Sequence, residues 1–485
     1  MLYIDRSQKT PLYEQLYNAL VEEILSGAMP AGHRLPATRK LSEELSVGRN
    51  TVDKAYQQLA AEGYIQAKVG SGFIVNRIPL DFRNRQQNCS FPKHSVRKEA
   101  GELTEPAQPE KVEQEARYDF AYGSMDNSVF PYSQWRKSVN NVLTRLELCS
   151  TLHYPCRTGE PELREAICRY LRRSRNVTCL PEQVVITCGQ QHSMEIIANM
   201  FGDRKKVFAM EEPGYDGIRA IFANHEYELI PVPVESDGIS IDALQEIDTL
   251  LLYVTPSHQF PTGGVLPIGK RRQMLQWAEH HDSYIIEDDY DSELRYYTNP
   301  IPAMQSLDLN QRIIYTGTFS KSLAPSMRLA YIVFPESLLE RYYDYYHRYN
   351  SQVTPLHQLT LADFIESGNY ERHINRLRTI YRKKQEVLLS AISEVFGDKI
   401  KVYGGGAGIH MMLDVDSPLS QEELISRAEQ AGIRFYSTSV LYLDEQHCPK
   451  NQLLLGFPTV PTEAFHGILE TLWDVWEMDA CHASD

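Results

Sequence analysis

Two short apolar runs, each followed directly by polar residues, constrain the fold of this 485-residue chain more than any other feature. Residues 283–286 precede a run of carboxylates, and residues 312–315 precede a turn that carries hydroxyl groups and Lys321. Each run has the length of a buried strand, and open α/β sheets bind ligands beyond the carboxyl ends of their strands. The sequence therefore predicts an α/β fold with a polar site where these two strands end.

The turn after the second run favours covalent chemistry at Lys321, our candidate nucleophile. An amine withdrawn from bulk water loses its proton more readily, as Schiff-base formation with an aldehyde requires. The hydroxyls of Thr318 and Ser320 and the guanidinium of Arg328 can hold a dianionic phosphate beside this amine. The alternative is an ordinary surface lysine in a loop between a strand and a helix.

The carboxylates after the first run complete a pattern that suits pyridoxal 5'-phosphate (PLP). This cofactor needs an acid against its pyridinium nitrogen and a donor near its phenolic oxygen. We predict that Asp288 fills the first role and that Tyr290, two residues further along the same face, fills the second. The alternatives are a solvated acidic face or a metal loop, but the run directly follows apolar residues. We predict no metal site.

Four motifs resemble the aminotransferase domain of the MocR/GabR family of bacterial transcription regulators. They are Thr-Phe-Ser-Lys-Ser at 318–322, Ile-Glu-Asp-Asp-Tyr-Asp-Ser-Glu at 286–293, Glu-Glu-Pro-Gly-Tyr at 211–215 and Pro-Ser-His-Gln-Phe-Pro-Thr-Gly at 256–263. The resemblance covers nearly the whole chain. It implies a PLP-dependent fold-type I aminotransferase-like domain over residues 118–485, with a large mixed-sheet α/β/α lobe and a small C-terminal α/β lobe.

Further cofactor contacts follow from the same segments. Gly189, Gln190 and Gln191 begin a helix after a predicted strand at 183–187, so backbone amides and the helix dipole can grip the phosphate. Tyr215 can stack on the pyridine ring. In fold-type I aminotransferases a tyrosine at the position of Tyr154 reaches the PLP phosphate of a second subunit, so the resemblance implies a homodimer.

Residues 1–78 carry a different pattern. Helices are predicted at 11–25, from about 38, and at 49–62, and the last two are joined by a turn containing Gly48. A hairpin is predicted next, with strands at 65–68 and 73–75. Two short helices joined by such a turn form the helix-turn-helix pattern, and residues 35–73 resemble the GntR-type winged helix-turn-helix.

The third of these helices can enter the DNA major groove with its first residues at base edges and phosphates. We predict Arg49 as the main base reader, because arginine to guanine is the commonest specific contact. The predicted DNA-binding residues are Arg39, Gly48, Arg49, Asn50, Thr51, Lys54, Lys68 and Gly70. Asp53 departs from the GntR pattern, in which many relatives carry arginine. A small protein-interaction module is the alternative.

Charge is distributed unevenly between the two predicted domains. The net charge is −15, yet residues 1–98 hold 14 Lys and Arg against 9 Asp and Glu, a local excess of +5. Such asymmetry is a cue for a basic nucleic-acid-binding arm on an acidic body. The segment between them, 79–117, is polar and has no sustained period, as expected of a linker.

Composition indicates the class of protein and the cellular compartment to expect. It is 42% hydrophobic and 23% charged, which is typical of globular domains. We find no run of 18 apolar residues and no signal-peptide start, so we expect a cytoplasmic protein without a membrane partner. The eight cysteines show no CxxC pair, and we interpret them as free thiols in a reducing compartment.

These observations predict a PLP-dependent transcription regulator that binds double-stranded promoter DNA and senses PLP or a small amine or amino-acid effector. One alternative is a bona fide aminotransferase, acting on 2-aminoadipate or an aromatic amino acid, with an appended DNA-binding domain. Another is a regulator that has lost the cofactor.

The effector γ-aminobutyrate (GABA) is disfavoured. By the resemblance, two arginines clamp the carboxylate of that effector, and Gly217 and Val440 stand in their places here. Arg157, Arg219 and Arg434 remain open as substitutes.

Overall fold

The computed structural model describes residues 10–68, 72–77, 116–148, 154–202, 204–297 and 301–478. The chain divides into two compact units, Met1–Gln108 and Pro109–Asp485, and the division falls within the predicted linker. Most of that linker, and the predicted DNA contact Gly70, lie outside the described residues. None of the helices in the described ranges is both long enough and apolar enough to cross a membrane.

The N-terminal unit has the helices and hairpin that the sequence predicts. Its elements are α1 (Leu12–Leu25), α2 (Thr38–Glu44), α3 (Arg49–Ala61), β1 (Ile65–Lys68) and β2 (Gly72–Val75). The strands pair antiparallel, with Ile65 opposite Val75.

The helical periodicity of apolar residues explains how this unit forms its hydrophobic core. The apolar face of α3 is buried through Val52, Ala55, Tyr56 and Leu59, and it packs with apolar residues of α1. The Tyr56 ring meets Phe73 of the hairpin edge to face, with ring centroids 5.3 Å apart. Since the apolar side of α3 is used in this way, its polar side faces outward.

The C-terminal unit is α/β. Its elements are β3 (Tyr118–Asp119), α4 (Tyr132–Glu147), α5 (Pro161–Arg175), β4 (Val184–Thr187), α6 (Gln190–Met200), β5 (Val207–Glu212), α7 (Asp216–Asn224), β6 (Glu228–Glu235), β7 (Gly238–Ile239), α8 (Ile241–Gln245), β8 (Leu251–Val254), α9 (Ile268–His280), β9 (Tyr284–Asp289), β10 (Ile313–Thr318), β11 (Ala330–Val333), α10 (Leu339–Tyr346), α11 (Pro355–Glu366), α12 (Asn369–Phe396), β12 (Ile400–Tyr403), β13 (His410–Val415), α13 (Gln421–Gln430), β14 (Ile433–Arg434), β15 (Tyr436–Ser437), β16 (Gln452–Gly456) and α14 (Phe465–Val475).

The large sheet has the strand order β4-β11-β10-β9-β8-β5-β6-β7. The central strands β10, β9, β8, β5 and β6 pair in parallel, whereas β11 is antiparallel to both of its neighbours. The carboxyl ends of the parallel strands therefore meet at one edge, where the sequence predicts a site.

Both faces of this sheet are buried, which explains why its strands are continuous apolar runs rather than alternating ones. Ile285 and Ile313 belong to one hydrophobic core, and their neighbours Ile286 and Ile314 belong to the other. Because successive side chains alternate between faces, each central strand contributes to both cores. The strands that carry the site are thereby held on both sides.

A smaller lobe follows the large sheet along the chain. Its four strands pair antiparallel in the order β12-β13-β16-β15, and α12 and α14 pack together beside them. The first strand of the unit, β3, is far from this lobe in sequence but pairs in parallel with its strand β14. The large mixed sheet and small C-terminal lobe agree with the predicted fold class.

Candidate functional site

A cavity of about 440 Å³ lies at the carboxyl ends of the parallel strands. This volume is in the range of small-molecule and cofactor sites. The cavity is lined by Tyr122, Gly123, Ser124, Gln190, Gln191, Tyr215, Tyr253, Thr255, Phe260, Asp288, Tyr290, Thr318, Ser320, Lys321, Pro325 and Arg328. The two motif regions from which we predicted a site therefore share one cavity.

Lys321 supplies the amine of this cavity. It follows β10, and its Nζ atom lies over the ring of Tyr122, 4.2 Å from the ring centroid. Burial lowers the pKa of Lys321 to about 8, although Asp291 and Asp288 act in the opposite direction. At pH 7 about a tenth of such an amine is neutral, far more than for an exposed lysine.

Asp288 supplies the carboxylate. It lies on β9, is 4% exposed, and accepts a hydrogen bond from the Tyr253 hydroxyl through Oδ2. Its Oδ1 atom is buried and has no hydrogen-bond partner among the described residues. Burial raises the pKa of Asp288 to about 7. Since buried polar atoms are normally satisfied, this oxygen calls for a further donor.

The acidic residues on either side of Asp288 point to the opposite face of the sheet. Asp289 forms a buried ion pair with Arg175, with 2.6 Å between Oδ2 and Nε, and it accepts a hydrogen bond from the Tyr315 hydroxyl. Glu287 accepts hydrogen bonds from the backbone amides of Met304 and Gln305. Strand alternation therefore gives one of three consecutive carboxylates to the cavity and two to the packing beneath it.

Anion-binding groups gather in another part of the cavity lining. Gly189 caps α6 with a φ of +96°, and a Cβ atom at this position would lie 2.5 Å from Nη2 of Arg328. Thr318 Oγ1 donates a hydrogen bond to Ser320 Oγ at 2.9 Å. A guanidinium, two hydroxyls and the amino end of an 11-residue helix thus occupy one region, as a phosphate would require.

Aromatic residues form a further part of the cavity wall. The rings of Tyr215 and Phe260 meet edge to face, with centroids 5.8 Å apart. The hydroxyl of Tyr290 is 3.0 Å from Nδ1 of His258, which also lies 2.8 Å from Oδ2 of Asp291. The polar end of Tyr290 is therefore held in place, as we expect of a residue that positions a ring substituent.

Tyr154 is a predicted cofactor residue that does not line the cavity of its own chain. Its side chain is 86% exposed. The prediction that it serves a second subunit stays a prediction.

Sequence reasoning missed several lining residues. Tyr253 and Thr255 follow from the strand pattern, because they lie at the end of β8, the neighbour of β9. Tyr122, Gly123 and Ser124 carry no such signal, since they reach the cavity from a segment almost 200 residues away from Lys321 along the chain. The three arginines left open as substitutes for an effector clamp, Arg157, Arg219 and Arg434, do not line the cavity.

The predicted DNA-binding residues that the structure describes lie on the outside of the N-terminal unit. Gly48 caps α3 at its amino end, and Arg49 and Asn50 are exposed there, with Thr51 half-buried. Arg39 and Lys68 are also exposed, and Arg39 pairs with Glu43 on α2, with 3.1 Å between Nε and Oε1. Lys54 Nζ lies 5.8 Å from the centroid of the Tyr13 ring. The amino end of α3 thus presents unburied polar groups to a partner.

Within the described ranges no three His, Cys, Asp or Glu side chains are grouped so that they could hold a metal ion.

Each of the two units matches a known protein family. Residues 12–75 match the family of bacterial regulatory proteins of the gntR type, and residues 121–446 match aminotransferase class I and II. The chain belongs to the MocR/GabR-type transcription regulators, which join these two parts.

Two relatives span almost the whole chain. It is 38% identical to the uncharacterized HTH-type transcriptional regulator YdeL of Bacillus subtilis (strain 168), over 98% of this chain and 99% of that protein. It is 36% identical to the probable rhizopine catabolism regulatory protein MocR of Rhizobium meliloti, over 94% of this chain and 92% of that protein.

Among solved structures, the chain is similar to LysN, an α-aminoadipate aminotransferase from Thermus thermophilus. The TM-score is 0.67 at 24% sequence identity, and the match covers 75% of this chain and 93% of the other. This likeness establishes the fold of the C-terminal unit.

Proposed function

We propose that this transcription regulator holds PLP covalently at Lys321 and that occupancy of the cavity controls DNA binding by the winged helix. The observation that carries the proposal is the pairing of a buried amine with a buried carboxylate, Asp288, whose Oδ1 atom has no partner in the described part of the chain. A protonated pyridine nitrogen is a donor that would satisfy that oxygen.

The rest of the cavity fits the same group. Arg328, Thr318 and Ser320 with the start of α6 would hold the phosphate, Tyr215 would contact the ring, and the Tyr290 hydroxyl would meet the phenolic oxygen. When bound, PLP supplies an aldehyde and an electron-withdrawing ring. The solved LysN structure with this fold contains N-(5'-phosphopyridoxyl)-L-leucine.

The chain's own groups prepare the amine for this role. Burial favours neutral Lys321, and the aromatic wall of Tyr122 and Phe260 keeps water from one side of it. Asp288 favours the protonated form of a ring nitrogen placed against it, because a carboxylate in a dry site stabilises a cation strongly. The phosphate-binding groups would fix the orientation of the ring.

The effector side of the cavity favours PLP itself, or an amine without a second carboxylate, over GABA. Gly217 offers no side chain, and the backbone carbonyl of Val440 accepts a hydrogen bond from Arg219, which ties that guanidinium outside the cavity. A carboxylate would therefore forfeit a charge-assisted hydrogen bond contributing about 1.5–3 kcal/mol.

The DNA-binding half of the proposal rests on the exposed start of α3. Arg49 would read a base in the major groove, with Arg39, Lys54 and Lys68 on phosphates. We propose that two copies assemble as a homodimer, with Tyr154 of each serving the other, and that the dimer binds a pseudo-palindromic promoter in the cytoplasm.

A gel-shift titration of the full chain on the DNA upstream of its own coding sequence tests the proposal. We expect added PLP to change the midpoint at least severalfold, since allosteric coupling is typically about 1–3 kcal/mol. An unchanged midpoint at saturating PLP would contradict it.

Only the fold favours the alternative that the chain is an aminotransferase. The purified full chain used for the gel shift can also distinguish this alternative from the regulator. Sustained turnover of 2-aminoadipate or an aromatic amino acid with 2-oxoglutarate, without any PLP effect on DNA binding, would make the chain an enzyme.

A further inference from the structure

The segment that follows the predicted linker touches the candidate nucleophile directly. We call residues 118–124 the entry segment. Its Tyr122 ring faces Nζ of Lys321 at 4.2 Å, a geometry in which an ammonium group is attracted to the ring. Next to it, Gly123 has a φ of +90°, and a Cβ atom there would lie only 2.6 Å from the same Nζ atom.

These contacts leave little free space on one side of the amine. A carbon atom bonded to Nζ needs room beside it, and the nearest neighbours on this side are the Gly123 backbone and the Tyr122 ring. A carbon atom must therefore approach Nζ from its open side, where Lys321 lines the cavity. Once bonded to carbon on that side, Nζ is no longer a free ammonium group over the Tyr122 ring, so their cation–π contact is lost.

The other end of the entry segment is fastened to the small lobe. The backbone amides of Tyr118 and Phe120 donate hydrogen bonds to the carbonyls of Gly432 and Arg434, both at 3.1 Å. Gly456 donates to the carbonyl of Phe120 at 2.9 Å, and a Cβ atom at Gly456 would lie 2.4 Å from the Ala121 carbonyl oxygen. The segment is thus a strap: its first part, which includes the strand Tyr118–Asp119, is fastened to the small lobe, and a turn at its other end carries Tyr122 and Gly123.

The position of this strap in the chain gives it a route to the linker. Residue 118 directly follows the predicted linker, which leads to the winged helix, so only four residues separate Tyr122 from that boundary. A change at Tyr122 passes to the Tyr118 and Phe120 hydrogen bonds through the short stretch of covalent backbone between them. No other part of the described cavity wall is so close in sequence to the linker.

We propose that the entry segment senses whether Lys321 is free or loaded, and that Tyr122 is the positioning residue that passes this state to β3 at the edge of the linker. The inference rests on the proposed function, because it needs PLP to load Lys321. It adds the element of the fold that responds to the loading.

Hydrogen exchange of the full chain, read by mass spectrometry and resolved to single amides by fragmentation, tests this inference. With PLP we expect exchange at the amides of Tyr118 and Phe120 to become about fivefold faster, as loss of one cation–π contact predicts. Lys321→Ala should show the same acceleration without PLP and no further response to it. The amide of Ile186, which donates to Thr158 in the large lobe, should stay unchanged as an internal control.

Two variants at position 122 separate a sensing role from a structural one. Tyr122→Phe keeps the ring, so the PLP response should remain, whereas Tyr122→Leu should abolish it. The comparison is made at equal occupancy of Lys321, which borohydride reduction and intact mass report for each variant. A response that persists in Tyr122→Leu would overturn the inference.

Failure of the inference is distinguishable from failure of the proposed function. If borohydride fixes PLP on wild-type Lys321 but the Tyr118 and Phe120 amides change by less than about twofold, the entry segment does not report loading. Unchanged exchange in Lys321→Ala would lead to the same conclusion. If no adduct forms at all, PLP loading itself is refuted, and this inference falls with it.

Discussion

The Lys321 cavity and the start of α3 differ in burial: the carboxylate residue of the cavity is buried and held by another side chain, whereas the first two residues of α3 are exposed. Asp288 is buried on a strand that is packed on both faces, and Tyr290 is buried just beyond the end of that strand. They are held by partners such as Tyr253 and His258. Arg49 is exposed at a helix end with Gly48 as its cap. On the proposed function, the cavity is formed before its ligand arrives, whereas DNA would complete the helix end.

This difference predicts how each region tolerates substitution. A buried charged group that loses its partner costs free energy in both folding and binding, because water cannot replace the partner. An exposed arginine can be removed with little effect on folding, since surface pairs contribute about 0–1 kcal/mol. Mutations in the cavity should therefore change both folding stability and ligand binding. Mutations on α3 should change DNA binding with little effect on folding stability.

The largest effect is expected at Lys321. Lys321→Met should remove the PLP absorbance band at the edge of the visible range, because no amine remains to bond the aldehyde. Lys384→Met is the matched control, since Lys384 is a second buried lysine whose pKa is lowered by burial, and its Nζ atom donates to the Pro458 carbonyl rather than facing the cavity. A band that survives in Lys321→Met would assign the chemistry to another group.

The adjacent residues Asp288 and Asp289 test the same difference between a binding role and a folding role within one strand. Asp288→Asn should weaken PLP binding about 10- to 100-fold, because a charge-assisted hydrogen bond is lost. Asp289→Asn should instead lower the free energy of unfolding by about 3 kcal/mol, since the buried charge of Arg175 loses its ion-pair partner. Equilibrium binding and urea unfolding of both variants measure the two effects, and equal behaviour would contradict the assignment of faces.

Asp288 also gives the cofactor-free protein a pH dependence. Burial raises its pKa to about 7, above the unfolded value, so its contribution to stability is complete below about pH 4 and declines as the pH rises toward 7. Asp288→Asn removes this loss. The variant should gain stability relative to wild type between about pH 5 and pH 8, measured by urea unfolding without PLP, and no gain would show that Asp288 has another donor.

On α3, Arg49→Ala should weaken binding to the specific site about 10- to 100-fold and weaken binding to unrelated DNA less. Lys54→Ala is the comparison, because a phosphate contact should be lost equally on both DNAs. Fluorescence anisotropy at fixed salt measures both, with thermal unfolding as the control for folding. Equal losses on both DNAs in Arg49→Ala would make Arg49 a phosphate contact.

The smallest expected effect is the pH dependence of loading. The neutral amine is the reactive form, and the pKa of Lys321 is about 8. The initial rate of PLP attachment should therefore rise about eightfold between pH 6.5 and 7.5 and level off above about pH 9. A rate that keeps rising to about pH 10 would indicate an exposed lysine.

Sequence reasoning succeeded where the signal is local. The strands before Asp288 and Lys321 and the three helices of the N-terminal unit follow from apolar periodicity, and the structure confirms them within about one to three residues at each end. The cavity could be predicted because two strand ends of one sheet must meet. Tyr122 and Gly123 could not, because their approach to Lys321 depends on how β3 pairs with β14, which lies far along the chain at Ile433–Arg434. No local pattern encodes that pairing.

Site mapping after reduction tests the central claim most directly. Full-length protein is incubated with PLP, reduced with borohydride, digested and sequenced by mass spectrometry. We predict a single reduced phosphopyridoxyl group on Lys321, with none on Lys384. Reduced protein without an adduct at Lys321, at PLP concentrations that saturate any DNA response, would contradict covalent PLP binding by this regulator.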